Sequence, residues 1–531
     1  MAADLSPDLV QLIVMYMADE ADVASLLLVL PPALLSAPLA ALRTLFRALF
    51  DGELVGATRH RSMHLSLWPP LVLPYPPAIN KPILIDALQA ASSLYASLTT
   101  RSSSRVRWDL PPHLTIELPC RLAQARHVFS RIALWDTRLS LLSIQISALR
   151  GDWARSDVEK LALVLPTLPR LRSLHLCCAG HNYTFEIGFV LKALFTSRSL
   201  TQLSLTTNVW SEDIGCVFAK WLTHVPVSSL KLRGPFPMKS QVHAVVHAIR
   251  ACRTLQSLAL EDAALARAFV AAPLPAHLCE LDLRIDRPTT VDETTRAAAY
   301  HPHLEALRVR LSRASLPPDN LPLVLSLPTL RRLRRLDLIH LELVTMTRDA
   351  LWTVLPRLTE LRLEKSHLGD SGVAEITAVL PTCYRLHRLA LVDQGISDTG
   401  ALAIARSLVL CPSLTDVDLT DNAIASDGAI AFWPLLPNLI VLRLRRNRIG
   451  EDAAMALSDV LRLTAHMRCL DMSDNNIGLP AVRAMITALH DGSYRAGVVN
   501  VSVTPSDYEA LCSFALGCLR DPHRVDITRL Y

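Results

Sequence analysis

Leu358-Thr-Glu-Leu361-Arg-Leu363, Leu386-His-Arg-Leu389-Ala-Leu391, Leu414-Thr-Asp-Val417-Asp-Leu419, Leu439-Ile-Val-Leu442-Arg-Leu444 and Met467-Arg-Cys-Leu470-Asp-Met472 are five versions of one pattern, Leu-x-x-Leu-x-Leu. The blocks begin at 358, 386, 414, 439 and 467, intervals of 28, 28, 25 and 28 residues. Three of them continue into an asparagine and an isoleucine: Asn422 and Ile424, Asn447 and Ile449, Asn475 and Ile477. Within a block the last two apolar residues alternate with polar ones, so they share one face of a short strand. The asparagine stands where the chain turns out of that strand, and its amide can bond main-chain groups that lose their ladder partners there.

The returning segments carry a helical pattern. Val373, Ile376, Val379 and Leu380 recur at helical spacing, and Pro381, Pro412 and Pro437 fall near helix ends. One strand-plus-helix unit cannot bury its own leucine face, whereas a stack of units can. The period and helical returns of 358–480 resemble the ribonuclease-inhibitor-like class of leucine-rich repeat proteins. That resemblance implies an α/β fold. It is a right-handed solenoid curved into a horseshoe, with a concave parallel β-sheet and convex helices. Weaker blocks begin at Leu139, Leu171, Leu200, Val227, Leu255, Leu278, Leu304 and Leu333. The expected organisation is a small helical segment over 1–45, irregular early repeats over 46–138, and the solenoid with its closing cap over 139–531. Val498–Val503 reads as the last strand and Ser506–Leu519 as a capping helix.

At 531 residues and 51% hydrophobic the chain has ample material for a core, and a solenoid's length does not count domains. Lys and Arg number 54 against 49 Asp and Glu, an excess too small to argue for nucleic acid. Neither a GxxxxGK[ST] nor a GxGxxG motif is present, and no cofactor is implied. Eleven cysteines without a CxxC pair suit buried thiols in a reducing compartment, the cytoplasm or the nucleus. No basic stretch precedes an apolar run at the start, so no secretory signal is expected. Val23 to Leu42 carries no acidic or lysine side chain and no arginine, and has the length of a bilayer span. Pro31, Pro32 and Pro38 interrupt it, and a buried helical pair is the reading adopted, with no membrane association.

Two patterns invite chemistry. His243 and His247 share a helix spacing used for zinc, but the glutamate that should follow the first histidine is Ala244. Arg331-Arg332-Leu333-Arg334-Arg335 is split by its strand geometry between two faces. No catalytic constellation is identifiable, and the chain is read as a non-enzyme.

Residues 5–29 add a second resemblance. Pro7 can open a helix capped by Ser6, and Leu9, Leu12, Ile13, Tyr16 and Met17 fall on one apolar face. Leu5, Pro7, Asp8, Leu9, Ile13, Tyr16, Met17, Asp22, Leu26 and Val29 match an F-box pattern, and the segment resembles that family. Two departures are the extra Ser6 and Leu30-Pro31-Pro32 where a Cys/Ser-x-x-Trp would follow. The resemblance implies an adaptor of a cullin-RING ubiquitin ligase of the SCF type. Leu5, Pro7, Leu9, Ile13, Tyr16, Met17 and Leu26 would dock on the linker protein that bridges to the cullin. The other readings are a plain interaction scaffold, with 1–45 as a cap, and a GTPase regulator of the Ran GTPase-activating type, which shares this repeat class but has an acidic tail that Asp526-Ile-Thr-Arg529-Leu-Tyr does not supply.

A protein client is expected on the concave face. There the residue between the last two apolar positions of each block forms a row. It runs His175, Ser204, Lys231, Ala259, Asp282, Arg308, Asp337, Arg362, Ala390, Asp418, Arg443 and Asp471. Alternating charge predicts ion pairs Asp282–Arg308, Arg308–Asp337, Asp337–Arg362, Asp418–Arg443 and Arg443–Asp471. Ala390, with Val392 beside it, interrupts the charges. A client is expected at this gap, oriented by Arg362, Arg388, Asp418 and Arg443.

Overall fold

The computed structural model describes residues 6–16, 20–50, 67, 71–73, 82–100, 115–135, 137–147, 153–179, 190–194, 197, 199–207, 212–234, 239–286, 294, 297, 301, 303–311, 327–343, 345–461, 467–491, 498–503, 505–518 and 525–529. The chain divides into two compact units, Met1–Leu255 and Gln256–Tyr531.

The first unit opens with helices Pro7–Tyr16, Glu20–Val29 and Ala37–Phe50. The prolines at 31 and 32 break the apolar run into a short 3-10 turn, Pro32–Leu34, between two helices. No described helix is long and apolar enough to cross a membrane. Val10, Val14, Val23, Leu27, Leu42 and Phe46 form the interior of this segment. Among the described residues seven strands follow: Leu71–Leu73, Ser97–Thr100, Thr115–Leu122, Leu139–Ser147, Ser173–Ala179, Gln202–Thr207 and Ser229–Arg233. Each pairs in parallel with the next in chain order. The register slips within Thr115–Leu122, where Pro119 has no N–H to give the ladder. Much of the stretch 46–138, expected to hold irregular early repeats, lies outside the described residues.

The second unit repeats one theme. Its strands are Ser257–Leu260, Glu280–Ile285, Ala306–Leu311, Arg335–Ile339, Glu360–Glu364, Arg388–Val392, Asp416–Asp418, Val441–Arg443, Cys469–Asp471, Val498–Val503 and Val525–Arg529. All pair in parallel, each with its sequence neighbour. Helices such as Gly369–Val379, Asp398–Leu408, Glu451–Leu461 and Leu479–Asp491 return the chain between them. The middle leucine of each block stacks on its equivalent, as Leu336, Leu361 and Leu389 do in register, and all three are buried. Each such side chain contributes about 1.5–3 kcal/mol of burial. This is the α/β solenoid expected from the repeats.

Val498–Val503 is not the last strand. Val525–Arg529 adds another, in register with it, after the helix Pro505–Cys518. Val525 and Ile527 alternate inward, but no leucine block announces them. The helix is therefore a return segment, and Val525–Arg529 follows it in the ladder.

Candidate protein-interaction surface

Two sets of side chains hold the strands in place. Six consecutive strands leave through a left-handed residue: His340, Lys365, Asp393, Asp421, Arg446 and Asp474 have φ of 60°, 54°, 53°, 58°, 54° and 58°. The next residue carries the bonding. Asn475 Oδ1 accepts from Asn447 N and Ile449 N, both at 3.1 Å, and its Nδ2 donates to Leu444 O at 2.9 Å and Met472 O at 3.0 Å. Asn422 does the same for the repeat before it, accepting from Gln394 N at 3.0 Å and Ile396 N at 3.1 Å. Gln394 stands in the corresponding place and accepts from Leu368 N at 3.3 Å. Each amide thus ties its own repeat to the preceding one.

A second ladder, absent from the sequence reading, runs along the helix N-termini. Asp370 Oδ1 accepts from Ser397 N at 2.9 Å and Gly400 N at 3.2 Å, capping the helix of the next repeat. Asp398 Oδ1 takes Ala425 N at 2.7 Å and Gly428 N at 3.1 Å one repeat later. A Cβ at Gly400 or Gly428 would stand 2.4 Å from the capping carboxylate oxygen. The signal was legible as Asp370-Ser-Gly372, Asp398-Thr-Gly400 and Ser426-Asp-Gly428, spaced like the leucine blocks.

The open face of the second unit's ladder carries the predicted row. Ala259, Asp282, Arg308, Asp337, Arg362, Ala390, Asp418, Arg443 and Asp471 are register neighbours in that order. Arg308 lies 3.6 Å from Asp282 and pairs closely with Asp337, which Arg362 approaches at 3.8 Å. Burial works against the charge of Arg308, but Asp337 and Asp282 overcome it and hold its pKa above the ordinary arginine value. These pairs are half-exposed, and each contributes about 0–1 kcal/mol.

The other two expected pairs do not form. Arg443 instead reaches Asp416 at 2.9 Å, which also lies 3.9 Å from Arg388. The cause is local. Asp418 Oδ1 accepts from Thr420 N at 3.1 Å and Thr420 Oγ1 at 2.6 Å, and Asp471 Oδ1 from Ser473 N at 3.0 Å and Ser473 Oγ at 2.6 Å. A hydroxyl residue two positions on captures the carboxylate. Asp282 and Asp337 are followed there by Arg284 and Ile339 and remain available for arginine.

The apolar gap is also narrower than expected. Ala390 is 0% exposed and Val392 7%, so neither presents a surface of its own. A methyl side chain lies flat between taller register neighbours, Arg362 and Asp418. What the face offers here is the charged rim of Arg362, Arg388, Asp416 and Arg443.

In the N-terminal segment Ile13 is 43% exposed, and Pro7 and Leu26 are partly covered. Leu5 and Met17, and the side chains of Leu9 and Tyr16, lie outside the described residues. Among the described side chains of the first helix Val10 and Val14 are buried, and Met15 is 49% exposed. Val29 on the second helix is 84% exposed. His243 and His247 are both exposed on the helix Lys239–Ala251, and no group of metal-ligating side chains gathers among the described residues.

A family model described as Leucine Rich repeat matches residues 410–432 and 465–485. Those stretches span the Asn422 turn and the Asn475 turn described above. The chain carries leucine-rich repeats at both places. A search of curated proteins finds no match. Among solved structures, an internalin of Listeria monocytogenes is 14% identical, with 71% of this chain and 84% of that one covered at a TM-score of 0.34. A leucine-rich repeat protein of Leptospira interrogans is 16% identical over 72% of this chain and 89% of its own, with a TM-score of 0.32. The second actin-binding site of leiomodin-1 is 18% identical, over 27% of this chain and 86% of that one, at 0.23.

Proposed function

We propose that this leucine-rich repeat protein is a non-catalytic adaptor. Its solenoid holds a protein client, and its N-terminal helices dock on the linker protein of a cullin-RING ubiquitin ligase. A repeat array of this kind is an interaction scaffold: it spreads a wide, ordered face of side chains over a rigid ladder. The observation that carries the adaptor reading is the exposure of Ile13, Met15 and Val29 on two short helices whose Val10, Val14, Val23 and Leu27 are already buried. The segment has an interior of its own and still leaves large apolar side chains in water, as a docking surface does. The F-box-like pattern around them supports a ligase linker as the occupant.

The test is affinity capture with the full chain and with an Ile13→Asp/Met15→Asp variant, read for cullin subunits and for a dominant client. Wild type should retain both, and the variant should lose the cullin and keep the client. A wild-type chain that captures a client but no cullin would remove the ligase link and leave the scaffold.

A further inference from the structure

The open face of the first unit differs in kind from that of the second. The strands Leu139–Ser147, Ser173–Ala179, Gln202–Thr207 and Ser229–Arg233 contain no Asp or Glu, whereas the second unit's strands set acids against arginines. A groove of about 310 Å³ opens on this face. Lys231 and Arg233 line it together with His175 and the hydroxyl residues Ser204, Thr206 and Ser229, and no carboxylate is among the lining residues. The strand registers place a hydroxyl opposite each cation: Ser204 opposite Lys231, and Thr206 opposite Arg233. Adjacent strands lie about 4.8 Å apart, so all of these side chains reach one small volume.

The position of Arg233 is fixed by the residue after it. Gly234 has φ of +130°, and a Cβ there would stand 1.8 Å from the carbonyl oxygen of Thr207. The chain leaving this strand therefore presses against the end of the neighbouring one, and only glycine permits it.

We propose that this groove binds a phosphoryl group carried on a serine or threonine side chain of a protein partner. The donors are matched to a tetrahedral dianion. An ammonium supplies a point charge, a guanidinium fork takes two oxygens, and hydroxyls supply the remaining bonds. A planar carboxylate is satisfied by the fork alone and has no use for three hydroxyls. The lining has no Phe, Tyr or Trp to serve as a stacking platform, and His175 is its one ring, which favours a phosphoryl group over a nucleotide base. The volume exceeds what a free phosphate ion needs and leaves room for the peptide on either side. The inference rests on the reading of the solenoid as a protein-binding surface, and adds the chemistry of one contact.

The experiment uses the full chain and fluorescence anisotropy with degenerate peptide pools bearing a central phosphoserine or phosphothreonine, their unphosphorylated twins, and inorganic phosphate as competitor. Lys231 and Arg233 are both exposed, so a Lys231→Ala/Arg233→Ala variant should keep the wild-type melting curve. The phosphorylated pools should bind wild type and bind the variant about tenfold more weakly or worse, while the twins fail to bind. Equal binding of phosphorylated and plain pools, a variant indistinguishable from wild type, or inorganic phosphate binding as tightly as the pools would each overturn the proposal. Partner capture separates this inference from the scaffold reading. Capture unaffected by phosphatase treatment overturns the phosphoryl contact and leaves the scaffold standing. Absence of any partner overturns the scaffold, and the peptide pools still judge the groove.

Discussion

Asn475→Ala should be among the most damaging single substitutions on the turn side of the second unit. Asn475 is 4% exposed, so water does not readily replace it. Its removal leaves the N–H groups of Asn447 and Ile449 without their acceptor. The Met472 carbonyl loses its 3.0 Å bond, while the Leu444 carbonyl keeps a second donor, Asn447 Nδ2, at 3.0 Å. Three backbone groups are therefore orphaned, two of them on the buried residues Ile449 and Met472, and at about 1–3 kcal/mol each, less partial relaxation, the cost is about 3–5 kcal/mol. Repeat arrays unfold in parts, so a single melting temperature is a poor measure. Amide hydrogen exchange at Ile449 and Asn447 reads the effect where it arises. A local loss of about 3 kcal/mol accelerates exchange by about a hundredfold. Exchange at these two amides within a factor of about two of wild type would refute the account.

Gly428→Ala should destabilise more than Gly395→Ala in denaturant titrations. A Cβ at 428 meets the Asp398 carboxylate at 2.4 Å and the Asp398 Cα at 2.9 Å, which disrupts the cap. Gly395 has φ of +72° but nothing within 4 Å, so only the backbone term of about 1 kcal/mol remains. Stability of the second unit should fall as pH drops below about 6.5, in part through His301. Burial pushes its pKa below the usual histidine value, aided by neighbouring His303 and His277 and opposed by its 2.8 Å bond to the Pro275 carbonyl. With the folded pKa depressed, the neutral-form stability is complete above the unfolded value and is lost as pH falls toward the folded one. His301→Gln should flatten that slope in denaturation midpoints measured between pH 7 and 5, and an unchanged slope would exclude His301 as the source.

The fold was legible because the leucine spacing is a direct record of which side chains stack. The registers along the open face follow from it, since period-two alternation admits one pairing that keeps Leu336, Leu361 and Leu389 together. Which charges meet was less legible. A row position gives a neighbour, but Asp418 and Asp471 chose Thr420 and Ser473 over Arg443, and that preference lies two residues along the strand. The aspartate caps were present as Asp-x-Gly spacing but look like ordinary surface turns until the helices are placed side by side. The strand Val525–Arg529 was missed because its inward residues, Val525 and Ile527, belong to no leucine block. The groove around Lys231 is invisible in a row read one residue per strand, since Arg233, Thr206 and Ser229 join it from other positions.

The asparagine ladder also sets a timetable for synthesis. Asn447 N and Ile449 N receive their acceptor from a residue 28 and 26 positions later in the chain. A ribosome delivers the donor first, so each turn emerges unfinished and is completed only when the following repeat clears the exit tunnel. Growth therefore carries an incomplete turn at its leading end, and a pause in translation after Asn447 has cleared the tunnel but before Asn475 has done so would hold the Asn447 turn open for as long as it lasted.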